Sequence, residues 1–97
     1  MEKNIIGRFA ISKAGHDKDT LYVIVAQEEG FVYLCDGKYH TLEKPKKKSV
    51  KHINLCRASV SEELCRRIIG KEKVFDHEVK YAIKMQEKGK EEGYVKE

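Results

Sequence analysis

The sequence predicts a mostly β domain, a small antiparallel barrel or sandwich of five strands, followed by two short helices. Two observations lead to this fold class. From Ile5 to Leu55 the apolar residues recur mostly at every second position, in short runs separated by turn-forming residues, which is typical of antiparallel strands. After Cys56 the spacing of the apolar residues lengthens to that of an α-helix.

Three strands are predicted before residue 36. The first covers residues 5–12, in which Gly7 permits a bend or a close backbone approach. The second covers residues 20–27 and is dense in β-branched and aromatic residues, as expected of a strand that is buried on both faces over part of its length. The third covers residues 31–35.

A hairpin at Asp36-Gly37 is predicted to connect the third and fourth strands, because a two-residue type I′ turn needs positive φ at both central positions. The fourth strand is then "KYHTL", residues 38–42, and Pro45 ends it because proline has no amide donor. Residues 52–56, "HINLC", supply the fifth strand.

The helices are predicted from capping residues and apolar spacing. Ser59 and Glu62 form a capping-box pattern, and Gly70 is predicted at the C′ position of this helix. Asp76 is predicted as the N-cap of the second helix. We expect the helices to cover an open face of the sheet through these apolar residues: Leu64, Ile68, Ile69, Val79 and Ile83. A sharper alternative is that Arg66, Arg67, Lys71 and Lys73 extend a basic surface.

The predicted organisation is one compact unit, since 97 residues suffice for a single domain. Residues 1–57 form the sheet domain, 58–90 a helical extension packed on it, and 91–97 a frayed tail. The N-terminus carries no apolar run of signal-peptide length, and no window approaches the length needed to cross a bilayer. We therefore expect a cytoplasmic protein without membrane contact. We also expect a monomer.

Positive charge is concentrated in one stretch. The net charge is +4, and the segment from Lys38 to Lys51 contains six lysines and one acid, Glu43. Binding of such a cluster to a polymer of closely spaced phosphates is favoured by counterion release, so a polyanion is the first partner to consider. We expect these lysines to share a face beside a turn at Gly15 and to stay clear of the chain's own carboxylates. The alternative is a charged edge that prevents sheets from pairing.

The loop "SKAGHDKD", residues 12–19, is the second candidate contact. Gly15 allows positive φ, and Lys13 and Lys18 flank it, so the loop can offer amides and charge to a phosphate. An ordinary tight turn, in which Asp17 bonds its own backbone, explains the same residues.

Metal binding and catalysis are not predicted. The three cysteines form no C-x-x-C pair and the four histidines no H-x-x-x-H pair, and we interpret the cysteines as small core residues in a reducing compartment. Cys35 or Cys56 beside His52 imitates a thiol–imidazole pair, but strand cysteines are more often packing residues. No cofactor is expected. Tyr39 is predicted to pack in the core rather than to stack on RNA bases.

The stretch from Gly7 to about Leu55 resembles the KOW-motif domain, the SH3-like barrel of archaeal and eukaryotic large-subunit ribosomal proteins and their small bacterial relatives. The features that carry the resemblance are the glycine loop with Asp17, the apolar strand after it, the Asp36-Gly37 pair and "KPKKKSVKH". Related sequences often carry arginine where this chain has His16.

The resemblance implies an SH3-like five-stranded barrel of KOW type that binds RNA, usually ribosomal RNA, without catalysis and in association with the ribosome and translation. Ribosomal proteins are further partners that it suggests. The implied contacts are Lys13, Gly15, His16, Asp17, Lys44, Pro45, Lys46, Lys47, Lys48, Lys51 and His52. The alternative is an SH3-like module that binds an acidic peptide or protein.

Overall fold

A five-stranded antiparallel sheet and two helices make up the computed structural model, which describes the backbone of residues 4–95 and the side chains of residues 4–89. The strands are β1 (Arg8–Ser12), β2 (Leu21–Glu28), β3 (Phe31–Cys35), β4 (Lys46–Ser49) and β5 (Ile53–Ser59). A single 3₁₀ turn, Val50–His52, joins β4 to β5. The helices are α1 (Glu62–Ile69) and α2 (Asp76–Val95).

The sheet is open rather than closed into the predicted barrel. Its strand order is β4-β3-β2-β1-β5, so that β4 and β5 are the two edges. Those edges are nevertheless joined by only the three residues of the 3₁₀ turn. Four strand spacings in a flat sheet measure about 19 Å, whereas four extended residues reach about 14 Å. The sheet must therefore curl strongly.

The predicted fourth strand is wrong. Residues 38–42 form an irregular segment of bends and coil, and the strand that pairs with β3 is Lys46–Ser49, the lysine-rich segment itself. The two-residue hairpin at Asp36-Gly37 is wrong as well. The connection from β3 to β4 instead spans residues 36–45 and starts with a turn in which the Asp36 carboxylate accepts the amides of Lys38 and His40, at 2.9 and 2.8 Å.

This long connection is tied to the start of α2. Gly37 has a φ of +79°, and a Cβ at this position would collide with the carbonyl oxygen of Asp76. The Leu42 amide donates to Asp76 Oδ1 at 2.7 Å. Glycine is needed at residue 37 for both its positive φ and its close approach to α2. The loop that resembles a hairpin in sequence therefore serves as a helix contact.

Two apolar clusters lie on opposite faces of the sheet. One face packs against the helices, and the cluster there consists of Phe9, Leu21, Val23, Cys35, Val60, Leu64, Ile68, Val79 and Ile83. The other face buries Ala10, Tyr22, Ile24, Val32, Leu34 and Ile53. Ile69 is 44% exposed and Tyr39 is 76% exposed, so the expectation that each packs in the core is wrong.

The helix ends differ in detail from the prediction. Ser61, not Ser59, is the N-cap of α1, and its hydroxyl accepts the amide of Leu64 at 3.2 Å. Gly70 keeps right-handed helical geometry as the C-cap, and the left-handed position falls to Lys71 with a φ of +59°. The backbone of α2 continues to Val95, through most of the segment predicted as a tail. Residues 96 and 97 of that prediction lie outside the described residues.

Candidate nucleic-acid interface

The loop between β1 and β2 folds over β4 and brings the two predicted contact segments together. Gly15 has the predicted positive φ, +90°, and a Cβ on it would lie 3.9 Å from Lys48 Nζ. The amide of Lys18 donates to the carbonyl of Gly15 at 3.2 Å, and the amide of Thr20 donates to the carbonyl of Asp17 at 3.0 Å. These bonds close a compact turn that points the Asp17 side chain at β4.

Asp17 is the centre of the resulting cluster. Its Oδ1 accepts hydrogen bonds from Lys48 Nζ at 2.8 Å and from the Ser12 hydroxyl at 2.9 Å. Its Oδ2 accepts from Lys46 Nζ at 2.9 Å and from the Tyr22 hydroxyl at 2.8 Å. Both carboxylate oxygens are thus fully occupied by groups of the same chain.

The pairing follows from the strand register. Lys46 lies opposite Leu34 and Lys48 opposite Val32, and directly paired residues share a face of a sheet. Because Val32 and Leu34 are buried on the face that Tyr22 also occupies, both lysines extend toward Asp17. Lys47 lies between them and points to the other face.

This cluster is largely shielded from water. The side chains of Lys48, Asp17 and Lys46 are 10%, 13% and 31% exposed. Burial opposes ionisation of Asp17, but the hydrogen bonds from Lys48, Lys46 and the two hydroxyls outweigh it and hold the pKa of that carboxyl well below its usual range. Burial and the Asp17 hydrogen bond raise the pKa of Tyr22 above its ordinary value. Asp17 is therefore a charged structural centre.

The three central lysines are paired within the chain. Lys46 and Lys48 contact Asp17, and Lys47 Nζ lies 3.1 Å from Glu28 Oε2 on the other face. This corrects the expectation that the segment stays clear of the chain's own carboxylates. The reason is that the segment is a strand with alternating faces, not a loop. Replacement of all three lysines would leave Asp17 without its cations, so the variant would lose stability, and a change in its binding would not report on the lysines alone.

The remaining lysines of the predicted interface are exposed. Lys13, Lys44 and Lys51 form no ion pair with any residue that the structure describes, and neither does Lys18, which the predicted contact set omits although it flanks Gly15. The amide of Lys13 donates to the carbonyl of His52 at 2.9 Å, which places the first loop beside the 3₁₀ turn.

These residues form a surface that we call the basic end: residues 13–19 together with Lys46, Lys48, Lys51 and His52. It carries five lysines and two aspartates, a net charge of +3, with the exposed His16 and His52 among them. Lys44 and Pro45 lie at the other end of β4, before the strand begins. The structure thus brings most of the predicted contacts together, with Lys44, Pro45 and Lys47 as the exceptions.

Two side chains of the cluster were missed from the sequence. Ser12 and Tyr22 bond Asp17 only because β1 and β2 pair in antiparallel register with Ala10 opposite Tyr22. No local sequence signal identifies them. Between residues 4 and 89, no group of three or more histidine, cysteine or carboxylate side chains could hold a metal ion.

No family model matches the chain, and no curated protein matches it. Over the described part of the chain, neither helix combines the length and the apolar character needed to cross a membrane.

Proposed function

We propose that the protein binds RNA, with ribosomal RNA as the expected target, through the basic end, and that it does so without catalysis as a ribosome-associated factor. The observation that carries the proposal is a group of exposed lysines, Lys13, Lys18 and Lys51, around a turn with positive φ at Gly15. None of the three forms an ion pair with a carboxylate in the described part of the chain. Closely spaced cations of this kind suit a phosphate polymer.

The Asp17 cluster supports this role indirectly. It holds the β1–β2 loop, which carries Lys18, against β4, and the 3₁₀ turn with Lys51 directly follows that strand. Two lysines share one carboxylate, so the cluster itself keeps a net positive charge. Lys46 is 31% exposed and is the member that a phosphate can approach.

The curl of the sheet supports the SH3-like part of the proposal. A short 3₁₀ link between the two edge strands is what a partly closed barrel requires, and an SH3-like scaffold of KOW type would present the β1–β2 loop and the basic strand side by side. We propose this scaffold as the finer description of the open five-stranded sheet.

Salt dependence and charge-neutral variants test the proposal. Fluorescence anisotropy with a labelled ribosomal RNA fragment would give the affinity from about 50 to 300 mM salt. Three phosphate contacts predict a log–log slope of about −2 to −3. The combined variant Lys13→Gln, Lys18→Gln and Lys51→Gln should weaken binding about 10-fold or more at low salt and flatten the slope, while the circular dichroism stays native because these side chains are exposed.

A matched variant controls for total charge. Lys80→Gln, Lys84→Gln and Lys88→Gln remove the same charge from exposed positions on α2. We expect this variant to retain most of the wild-type affinity. Equal weakening by both triple variants would show that RNA is attracted by net charge alone, and absence of binding by the wild-type protein at 50 mM salt would refute the proposal.

An acidic peptide or protein is the other partner that the same cations could attract. A polyglutamate peptide in the same assay distinguishes the two. RNA as the target predicts that the peptide competes only at a large excess over the RNA fragment. Competition at equal concentration would favour the protein-binding alternative.

A further inference from the structure

An aromatic surface lies on the opposite face of β4 from the Asp17 cluster. Phe31 and Tyr33 are two residues apart on β3 and so project on the same face, and Lys47 lies directly opposite Tyr33 on β4. Lys47 Nζ is 4.6 Å from the centroid of the Phe31 ring and 6.0 Å from that of Tyr33. We call these three residues the aromatic edge.

The aromatic edge differs in burial from the other end of β3. Cys35, on the same face of the strand, is fully buried in the cluster that includes helix residues, whereas Phe31, four residues earlier, is 40% exposed. Among the described residues, neither Phe31 nor Tyr33 belongs to an apolar cluster. An exposed phenylalanine beside a lysine-rich edge offers a flat apolar face next to positive charge.

We propose that the aromatic edge binds an unpaired RNA base, which stacks on Phe31 while Lys47 contacts the adjoining phosphate. The inference rests on the proposed RNA binding and deepens it, because it assigns the protein an RNA in which a bulged or looped base adjoins a duplex. Sequence-tolerant stacking on aromatic side chains is a general way to hold unpaired bases.

The charges around the ring favour one placement of the nucleotide. Glu28 lies directly opposite Phe31 on β2, and its Oε2 accepts from the Tyr33 hydroxyl at 3.2 Å and contacts Lys47. The hydrogen bond from Lys47 lowers the pKa of Glu28, which is ionised at neutral pH and repels phosphate from the β2 side. The phosphate should therefore lie along β4.

Lys47 is able to change partners. Its ion pair with Glu28 is half exposed on both sides, and exposed pairs contribute little to stability. The Glu28 hydrogen bond raises the pKa of Lys47, so the amine is charged at neutral pH. Exchange of the carboxylate for a phosphate would leave the ammonium over the ring and add a negatively charged partner at the edge.

The aromatic edge and the basic end are close enough to act on one RNA. Phe31 lies opposite Ser49, and the amide of Val50 donates to the carbonyl of Gly30 at 3.0 Å. Lys51 follows directly. A backbone that passes along β4 from Lys47 would therefore reach the exposed lysine of the 3₁₀ turn.

The test compares two RNA hairpins that differ by one unpaired nucleotide. Wild-type protein should bind the bulged hairpin about 10-fold more tightly than the fully paired one, because stacking of one base on an aromatic ring contributes about 1–3 kcal/mol. Phe31→Leu keeps an apolar side chain but removes the ring, so it should bind both hairpins equally, with the affinity for the paired hairpin unchanged. Phe31→Trp should keep the preference.

Tyr39→Leu is the matched control. Tyr39 is also an exposed ring beneath a lysine, with Lys38 Nζ 5.0 Å from its centroid, but it lies in the connection between β3 and β4. We expect this variant to keep the preference for the bulge. Circular dichroism of each variant verifies the fold.

A measurement on the wild-type protein removes the dependence on variants. A 5-iodouridine placed at the bulge should crosslink on irradiation, with the adduct at Phe31 or Tyr33 in the mass spectrum. Equal affinity for both hairpins, or an adduct elsewhere, would overturn the inference and leave the proposed RNA binding in place. Failure of the wild-type protein to bind either hairpin would refute both the inference and the proposed RNA binding. Binding of polyglutamate that is lost in Phe31→Leu would assign the edge to a protein partner instead.

Discussion

Replacement of Asp17 by asparagine should destabilise the protein by about 3 kcal/mol. The substitution keeps the size of the side chain but removes the charge that Lys46 and Lys48 share. Loss of one partner of a buried ion pair costs about 3–5 kcal/mol. We expect the lower end because Lys48 Nζ keeps the Ser12 hydroxyl, at 2.8 Å, and the Ala14 carbonyl, at 3.0 Å, and because Lys46 can turn to solvent.

Urea unfolding at pH 7, followed by circular dichroism, measures this loss. With a slope of about 1.5 kcal/mol per M, the midpoint should fall by about 2 M. Asp19→Asn is the control, since Asp19 is an exposed acid of the same loop, and it should change the free energy of unfolding by less than about 0.5 kcal/mol. A double-mutant cycle with Lys48→Met should give a coupling of at least about 1 kcal/mol. Equal effects of Asp17→Asn and Asp19→Asn would refute the structural role of Asp17.

Three further predictions concern the scaffold. Gly37→Ala should lower the free energy of unfolding by at least about 2 kcal/mol, because it adds a collision with Asp76 to the strain of positive φ. Gly30→Ala, at a φ of +82° with open space around it, should lower it by about 1 kcal/mol, and equal losses in thermal or urea unfolding would contradict this prediction. The free energy of unfolding should fall as the pH drops below about 4, because Asp17 and Glu78 have pKa values that are lowered in the folded protein, so that unfolding takes up protons. The pKa of Glu78 is about 2 because of its Arg67 partner, and Asp17→Asn should reduce the pH dependence in urea titrations from pH 5 to 2. Burial raises the pKa of Cys35 to about 12, so a thiol reagent should label at most two of the three cysteines before the protein unfolds. Labelling of all three cysteines in the native protein would disagree with the structure.

Local patterns were sufficient to predict the apolar elements of the fold. Strand β3 has its predicted bounds, and β2 is displaced by one residue, because β-branched and aromatic runs between turns carry a strong local signal. The positive φ of Gly15 was likewise readable, since a glycine in a polar loop is the residue that adopts it at low cost.

Strand β4 could not be predicted from local patterns. "KKKS" has no apolar alternation and consists mainly of residues that strands disfavour, so its conformation depends on pairing with β3 and on Asp17, 29 to 31 residues earlier. The Asp36-Gly37 pair indicated a turn correctly, but its use depends on Asp76 of α2, a contact that sequence spacing does not reveal. The ion pairs of the lysines could not be predicted from the sequence for the same reason.

Three consecutive lysines give no side-chain information about their own alignment with β3. A slip by one residue would turn Lys47 alone toward Asp17 and leave one of its oxygens without a cation, whereas the observed alignment supplies one lysine to each oxygen. Asp17 thereby selects which side of the sheet each positive charge occupies. A carboxylate on the opposite face thus determines that Lys47 is the cation above Phe31. A substitution at Asp17 would therefore change which lysine lies at the aromatic edge, although Asp17 does not contact that edge.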